Sequence, residues 1–279
     1  YVEEPDAVHL PLFSYGAVGW LGEGSRVAAV QVDRERRQDL RLMPMDKVRE
    51  GVARFRDLMP GNRLRAHLET CALVYGCPAA KNFFLNRYEG PLPTSASCNA
   101  RCRGCLSLQE SDEIPSTQQR IRFVPSPEEI AQVAIHHIRK TRRPVVSFGQ
   151  GCEGEPLLAA KAIEPAIRLI RHAVGAKGTI NMNTNASLPA KLDRLFHVGL
   201  DSMRVSMNSV RPESYETYFR PRGYCFGDVV DSIDLALQRG KFVSMNYLNI
   251  PGFSDSPVEV EALIEFLGAH PIHMIQWRN

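Results

Sequence analysis

The chain alternates between short strand-like runs and amphipathic helical stretches from residue 91 onward, and this alternation limits the folds open to it. Strands separated by helices form consecutive β-α-β units, which build a parallel sheet. Right-handed crossovers then allow an open doubly wound sheet or a curved, barrel-like one. The six predicted strands span residues 92–97, 145–148, 179–184, 202–207, 242–249 and 272–277.

The helical stretches between these strands carry start and stop signals. Ser126 and Ser256 each precede a proline and an acidic residue, which is typical of a helix N-terminus. Glycines follow three of the predicted helices, as a C-terminal cap requires, at Gly175, Gly199 and Gly240. We predict helices that begin at residues 127 and 257 and helices over residues 156–174, 189–198 and 228–239.

Residues 1–90 have a different pattern, and we predict a small α+β region there, followed by a second domain over residues 91–279. An alternating stretch at residues 27–32 indicates a strand. Two helical runs follow, one at Met45–Met59 and one from about Asn62 into the region of Cys71 and Cys77.

Charge and cysteine content exclude several classes of protein. The 34 Lys and Arg residues nearly balance 31 Asp and Glu residues, so a strongly basic arm is excluded and nucleic acid is not an expected partner. No apolar run reaches the ~18 residues of a membrane span, so no membrane partner is expected. Seven cysteines are too few for a disulfide scaffold and odd in number, which favours a reducing, cytoplasmic location.

Three of the cysteines, Cys98, Cys102 and Cys105, lie within eight residues directly after the first predicted strand, at the spacing C-x3-C-x2-C. Three thiolates on one short loop can converge on one soft metal centre. A [4Fe–4S] cluster with three cysteine ligands leaves one iron open for another ligand. The spacing therefore favours an iron–sulfur cluster.

Zinc remains an alternative at this loop, because thiolates also bind zinc. A closed zinc site needs a fourth ligand, which would come from Cys71, Cys77 or a histidine. Arg101 and Arg103 lie inside the loop and would offset the negative charge of a thiolate-ligated cluster. On the zinc interpretation, the chain would be an α/β binding module without redox chemistry.

A C-x3-C-x2-C loop after the first strand of a series of β-α-β units resembles the radical S-adenosylmethionine (SAM) superfamily. The resemblance implies a partial (β/α)6 TIM-like barrel. It also implies a [4Fe–4S] cluster on Cys98, Cys102 and Cys105, with SAM bound at the open iron and cleaved to a 5′-deoxyadenosyl radical that abstracts hydrogen from a substrate. A low-potential donor, ferredoxin or flavodoxin, would reduce the cluster.

The second predicted strand runs into a glycine-rich loop that supports the resemblance. Its Gly154-Glu155-Pro156 is similar to the Gly-Gly-Glu-Pro loop of the superfamily, whose backbone and carboxylate hold the SAM amino group. The resemblance therefore implies SAM contacts from Gly151, Gly154, Glu155 and Pro156. Glycines let a backbone approach a ligand closely, and a carboxylate can pair with an ammonium group.

Three later loops also resemble the superfamily. Asn183 lies at the end of the third strand, where the sequence resembles the Thr-Asn-Gly of the superfamily. Ser206 and Asn208 lie in a fourth-strand segment that resembles the one that contacts the SAM ribose and carboxylate in the superfamily. Pro251 and Gly252 lie in a Pro-Gly-x-x-Asp-like loop, which passes near adenine in the superfamily. The resemblance implies SAM contacts from all five residues.

The chain departs from the superfamily pattern at two places. Gly104 stands where members commonly carry an aromatic residue against adenine, so we expect Leu106 or Phe148 to cover the adenine instead. The chain starts at Tyr1 and the resemblance ends with the sixth strand, so we expect a longer protein with a C-terminal extension.

Polar residues near the strand ends are the candidates for substrate binding, and they suit a carboxylate, phosphate or amide substrate: Asn183, Arg204, Asn208, Asn246, Tyr247, Asn249, Gln276 and Arg278. An RNA- or tRNA-modifying radical SAM enzyme is an alternative, which the near-neutral charge disfavours. Cys71 and Cys77 are candidates for a second metal centre or a redox pair. Cys152 is expected to be a buried thiol, and Cys225 has no assigned role.

Overall fold

A six-stranded parallel sheet in which neighbours in space are also neighbours in sequence organises the chain. The computed structural model describes residues 18–27, 36–37, 39–109 and 116–278. The strands of the sheet are β3 (Glu89–Pro91), β4 (Val145–Phe148), β5 (Thr179–Thr184), β6 (Ser202–Met207), β7 (Phe242–Leu248) and β8 (Met274–Arg278). With the helices between them, they form the predicted partial (β/α)6 TIM-like barrel.

The helices that connect these strands pack on one face of the sheet. They are α4 (Pro127–Lys140), α5 (Ala160–Val174), α6 (Pro189–His197), α7 (Pro212–Phe219), α8 (Phe226–Gln238) and α9 (Pro257–Ala269). Helix α4 begins as predicted, because Ser126 and Glu129 form a reciprocal capping box.

Before the barrel lie a short antiparallel hairpin and three helices. The hairpin pairs β1 (Val18–Leu21) with β2 (Gly24–Val27), and the helices are α1 (Met45–Leu58), α2 (Arg63–Leu73) and α3 (Pro78–Phe84). The strand predicted at residues 27–32 lies outside the described residues apart from Val27. Helix α2 is capped by Asn62 and contains Cys71, so it reaches the region of Cys71 and Cys77 as predicted. The chain then turns after Leu73 and restarts as α3.

The core lies between the sheet and its helices and continues into the N-terminal helices. Residues of β5 and β6 that face the helices, such as Met182 and Val205, are fully buried. Phe55 of α1 packs edge-on against Phe83 of α3, with ring centroids 4.7 Å apart, and against His136 of α4 at 4.7 Å. No helix in the described part of the chain is both long and apolar enough to cross a membrane.

The prediction for the first strand was wrong by several residues, because β3 ends at Pro91. The ladder with β4 stops after the Leu92 N–H donates to the Ser147 carbonyl at 2.8 Å. Alternate residues of a strand bond to the same neighbour, so the next N–H directed at β4 would be that of Thr94. The Thr94 and Ser95 N–H groups donate instead to the Glu153 carboxylate. Residues 92–97 therefore run as a loop above the sheet.

Candidate functional site

The cysteine loop, residues 98–105, leaves the carboxyl end of the first barrel strand through the segment that follows it. Backbone hydrogen bonds join this loop to the end of α7: the Arg101 N–H donates to the Phe219 carbonyl at 2.9 Å, and the Arg103 N–H donates to the Tyr218 carbonyl at 3.1 Å. Helix α7 therefore holds the cysteine loop in place, although sequence reasoning gave it no such role.

The three cysteine thiols of the loop are half-buried. Burial raises the pKa of Cys98, and burial with the charges of the neighbouring thiolates raises the pKa of Cys102 to about 12. Thiolates in this loop therefore need a compensating positive charge, which a bound iron centre supplies.

Part of the positive charge that compensates the thiolates comes from Arg120, a residue that the sequence analysis did not single out. The Arg120 Nη2 donates to the Cys105 Sγ at 3.5 Å. The Arg103 side chain, which the sequence suggested for this role, donates instead to the Thr217 carbonyl at 3.4 Å. A cavity of about 550 Å³ opens beside Arg120 and Ser107.

The distribution of thiols favours a cluster over a single zinc ion in the cysteine loop. Among the described residues, the compact group of three possible metal ligands consists of His67, Cys71 and Cys152, whose ligand atoms all lie within 4.8 Å of one another. Cys71 is therefore engaged elsewhere and is not the fourth ligand of a zinc site in the loop. Each thiol of a [4Fe–4S] cluster binds a different iron, so such thiols need not converge on one point.

Glu153 braces the glycine-rich loop that follows β4. Its Oε1 accepts the N–H groups of Gly149 and Gln150, both at 2.7 Å. Its Oε2 accepts the N–H groups of Thr94 at 2.7 Å and Ser95 at 2.9 Å. Burial raises the pKa of Glu153 to about 7, and these donors favour its charged form. The sequence did not reveal this role, because the donors come from a distant segment of the chain.

Glu155 faces the protein and is buried. Its carboxylate accepts from the Thr184 hydroxyl at 2.5 Å, the Asn185 N–H at 2.8 Å and the Leu157 N–H at 3.0 Å. Burial raises the pKa of Glu155 to about 7. An ionised carboxylate has about four acceptor positions, so one remains beside these three.

Gly154 lies against the segment that leads into the cysteine loop. Its N–H donates to the Ser95 carbonyl at 2.7 Å, and the Glu155 N–H donates to the Ser97 carbonyl at 2.9 Å. A Cβ at Gly154 would overlap the Ser97 carbonyl group and approach the Cys98 nitrogen to 3.1 Å. Only glycine allows this contact.

The remaining residues predicted to contact SAM lie at the same end of the sheet. Asn183 donates through Nδ2 to the Gly149 carbonyl at 2.9 Å, so it joins β5 to the glycine-rich loop. Asn208 is buried, and its Oδ1 has no hydrogen-bond partner among the described residues. Ser206 is half-buried, while Gly151, Pro251 and Gly252 are exposed and Pro156 is buried.

The residues expected to cover adenine lie in different surroundings. Phe148 is fully buried in the core, on the face of the sheet that packs against helices, so its assignment to adenine was wrong. Leu106 is 45% exposed. Beside Gly104, a Cβ would lie 2.6 Å from the Tyr218 hydroxyl, so an aromatic residue from α7 occupies the space next to this glycine.

Strand register separates the substrate candidates into two faces. Side chains at paired positions of a parallel sheet point to the same face, and Asn183, Arg204 and Ser244 are paired across β5, β6 and β7. Asn246 and Gln276 share their face, two residues further along. Tyr247 points to the opposite face, where it is fully buried against Trp277, so its prediction as a lining residue was wrong.

Comparison with known protein families decides what this arrangement is. Residues 92–267 match the family model of the Radical SAM superfamily, which covers more than half of the chain. The chain belongs to the radical SAM superfamily. Its cofactors are therefore a [4Fe–4S] cluster and SAM, as the sequence predicted, and membership of this family disfavours the zinc-stabilised binding module.

Solved structures with the same fold include other radical SAM proteins. A radical SAM methyltransferase from Sphaerobacter thermophilus has a TM-score of 0.53 at 17% identity over 67% of this chain and 55% of that chain. The protein anSMEcpe, solved with bound AdoMet, has a TM-score of 0.52 at 18% identity over 69% of this chain and 52% of that chain. At these identities the similarity concerns the fold.

Relatives of this chain by sequence include GTP 3′,8-cyclases and molybdenum cofactor biosynthesis proteins. A GTP 3′,8-cyclase from Picosynechococcus sp. is 29% identical over 165 residues, 58% of this chain and 47% of the relative. The molybdenum cofactor biosynthesis protein 1 of Mus musculus is 28% identical over 173 residues, 61% of this chain and 25% of the relative. The chain therefore spans about half or less of the relatives it matches.

Proposed function

We propose that this chain binds its [4Fe–4S] cluster through Cys98, Cys102 and Cys105 and cleaves SAM reductively at the open iron. The observation that carries the proposal is the cysteine loop at the carboxyl end of the first barrel strand, held against α7 and the glycine-rich loop. When bound, the cluster and SAM supply a 5′-deoxyadenosyl radical that abstracts hydrogen from a substrate.

The residues of the chain position SAM and exclude water from it. We propose that Gly151, Gly154, Glu155 and Pro156 contact its amino-acid part. The buried Oδ1 of Asn208 has no partner among the described residues, and a buried acceptor without a donor is costly, so a ligand donor fits there. The other proposed contacts are Asn183, Ser206, Pro251 and Gly252.

Tyr218 is our proposed aromatic neighbour for adenine. Its hydroxyl lies beside Gly104, where other members carry an aromatic side chain, and its pKa is raised by burial and by the Cys102 and Cys105 thiolates. The ring therefore lies close to the cluster thiols.

A low-potential protein such as ferredoxin or flavodoxin is our proposed electron donor. The surface beside the cysteine loop carries exposed Leu106 and Leu108 together with the basic side chains of Arg103 and Arg122. An apolar patch with surrounding positive charge suits a small acidic redox protein.

The face of the sheet that carries Arg204 suits an anionic substrate. The Arg204 Nε is buried and has no hydrogen-bond partner among the described residues. Burial lowers the pKa of Arg204, and the charges of Arg278 and Arg37 lower it further, while Glu89 opposes them. Guanidinium groups form paired hydrogen bonds with phosphate or carboxylate, so such a group would satisfy this site.

GTP is the first substrate to test, because it is anionic and several relatives are GTP 3′,8-cyclases. The reconstituted protein is reduced with dithionite in the absence of oxygen, and 5′-deoxyadenosine is measured with and without GTP. We expect GTP-dependent formation of 5′-deoxyadenosine and its loss in Cys102→Ala, while the control Cys225→Ala keeps it.

Two further outcomes separate the parts of the proposal. Arg204→Gln is expected to raise the KM for GTP about 10- to 100-fold, the cost of one charged hydrogen bond, with little change in SAM affinity. Cleavage of SAM that GTP does not influence would reject the substrate and keep the reaction. Failure of the wild-type protein to cleave SAM under any of these conditions would reject the reaction itself.

A further inference from the structure

Two thiols and an imidazole converge outside the cysteine loop. The ligand atoms of His67, Cys71 and Cys152 all lie within 4.8 Å of one another, and the His67 Nε2 is 3.6 Å from the Cys71 Sγ. His67 and Cys71 are four residues apart on α2, so they lie on one face of the helix. Cys152 comes from the glycine-rich loop after β4.

The surrounding protein fixes these three side chains before any ligand binds. Cys71 and Cys152 are 1% and 4% exposed, and His67 is half-buried. The Ile121 N–H donates to the Cys152 carbonyl at 2.8 Å, and the Phe123 ring lies edge-on to the His67 ring at 6.5 Å. One segment, residues 121–123, therefore contacts both halves of the group.

Helix α2 is itself anchored to the barrel. Asn62 caps α2 by accepting the Arg65 N–H at 2.9 Å, and its Nδ2 donates to the Glu129 carbonyl and to the Gln132 side chain of α4. Arg63 forms an ion pair with Glu129 at 2.7 Å. Helix α2, which carries His67 and Cys71, therefore cannot move away from Cys152 without breaking contacts to α4.

This donor set supplies three of the four ligands of a tetrahedral zinc site, and a water molecule can take the fourth position. Zinc binds thiolate sulfur at about 2.3 Å and imidazole nitrogen at about 2.0 Å, and a tetrahedron with these bonds places ligand atoms about 3.5 Å apart. The 3.6 Å separation of the His67 and Cys71 ligand atoms agrees with that geometry. Sulfur with nitrogen in tetrahedral arrangement is the ligand combination typical of zinc.

We propose that His67, Cys71 and Cys152 form a zinc site, separate from the cysteine loop, that joins α2 to the glycine-rich loop. The alternative of a Cys71–Cys152 disulfide gives no role to the imidazole. It is also unfavourable in an enzyme that works with a low-potential reductant, because such a reductant opens disulfides.

The site would fix the loop that we propose for SAM. Cys152 lies between Gly151 and Gly154, and the next residue is the Glu153 brace. Zinc bound to the folded state alone stabilises that state by mass action, and it does so at this loop in particular. Removal of zinc is therefore expected to weaken SAM binding without removing iron.

The first test is X-ray absorption at the zinc edge of the cluster-loaded protein after purification with zinc in the medium. We expect about one zinc per chain with two sulfur ligands and at least one imidazole nitrogen. A zinc shell without sulfur, a shell of sulfur alone, or a protein without zinc would overturn the proposal.

A second test separates this site from the cysteine loop. A triple variant with Cys98, Cys102 and Cys105 changed to Ala should retain about one zinc per chain. Adding Cys71→Ser to that variant should reduce the zinc to less than about a tenth, whereas adding Cys225→Ser should not change it. Circular dichroism of each variant confirms that it is folded.

The remaining measurements use a different metal and a mass determination. Cobalt(II) added to the zinc-free triple variant should produce the intense visible bands of a tetrahedral thiolate site, and His67→Ala should remove them. If the triple variant, which lacks the three thiols of the cysteine loop, contained no zinc, the metal of the wild type would lie in that loop and the proposal would be overturned. A protein mass lower by two hydrogens, with the difference assigned to the peptides that contain Cys71 and Cys152, would show a disulfide. That result would also overturn the proposal.

Discussion

Replacing Gly154 by Ala tests whether the contact between the glycine-rich loop and the cysteine loop positions the cluster ligands. The new Cβ would overlap the Ser97 carbonyl group, whereas carbon contacts in proteins ordinarily begin at 3.4 Å. The neighbour is backbone, so no side chain can rotate away. The two segments must separate.

Separation breaks two backbone hydrogen bonds. These run from the Gly154 N–H to the Ser95 carbonyl at 2.7 Å and from the Glu155 N–H to the Ser97 carbonyl at 2.9 Å. At about 0.5–1.5 kcal/mol each, their loss lowers the free energy of unfolding by about 1–3 kcal/mol. Because Cys98 follows Ser97, we also expect lower iron content after reconstitution.

The assay is urea unfolding of the cluster-free protein followed by circular dichroism, with iron analysis of the reconstituted protein. Gly268→Ala is the matched control, because a Cβ there meets nothing within 4 Å and alanine favours the helix by up to about 1 kcal/mol. If Gly154→Ala unfolds within about 0.5 kcal/mol of the wild type and loads its full iron, the reasoning about this contact is wrong.

Three other predictions concern charge and protonation. Arg120→Met removes a hydrogen-bond donor to the Cys105 sulfur. The midpoint potential of the cluster should therefore fall by about 40 mV, the equivalent of one hydrogen bond. An unchanged potential in a redox titration would contradict this prediction. Burial lowers the pKa of His137 from 6.5 to about 4, so the unfolded state binds more protons between these values. Stability should therefore fall by up to about 3 kcal/mol as the pH drops from 6.5 to 4, and His137→Gln should flatten this slope in unfolding measurements. Glu259 is 1% exposed and accepts hydrogen bonds from two serine hydroxyls and an arginine. Glu259→Gln should therefore lower the free energy of unfolding by about 1–3 kcal/mol. The control Glu213→Gln, at an exposed position, should change it by less than about 0.5 kcal/mol.

Strands β4, β5 and β6 follow the predicted bounds because their signal is local. Most of their helix-facing residues are apolar and fully buried, and Pro144, Gly149 and Gly178 lie directly beside β4 and β5. The first strand could not be placed in this way. Whether residues 92–97 continue the ladder depends on Glu153, which takes up the N–H groups of Thr94 and Ser95 from a distant position.

The orientation of the polar residues of the barrel also could not be predicted fully from the local sequence. Alternation along β7 predicts that Asn246 and Tyr247 face opposite sides, but which side is the interior follows only from register with β6 and β8. Arg120 donates to the Cys105 sulfur, whereas the Arg103 side chain inside the cysteine loop donates to the Thr217 carbonyl. The direction of a long side chain depends on what packs around it, which spacing does not record.

The sequence by itself determined the β-α-β order, the cysteine spacing and the resemblance to the radical SAM superfamily, because each depends on residues close together in the chain. Only the tertiary structure decided which distant side chains meet. Cys71 and Cys152 are far apart in sequence, and their contact with His67 exists because α2 packs on α4 and the glycine-rich loop folds back beside it. Chain entropy opposes such long-range contacts, so they form only when the packing of whole elements compensates for it.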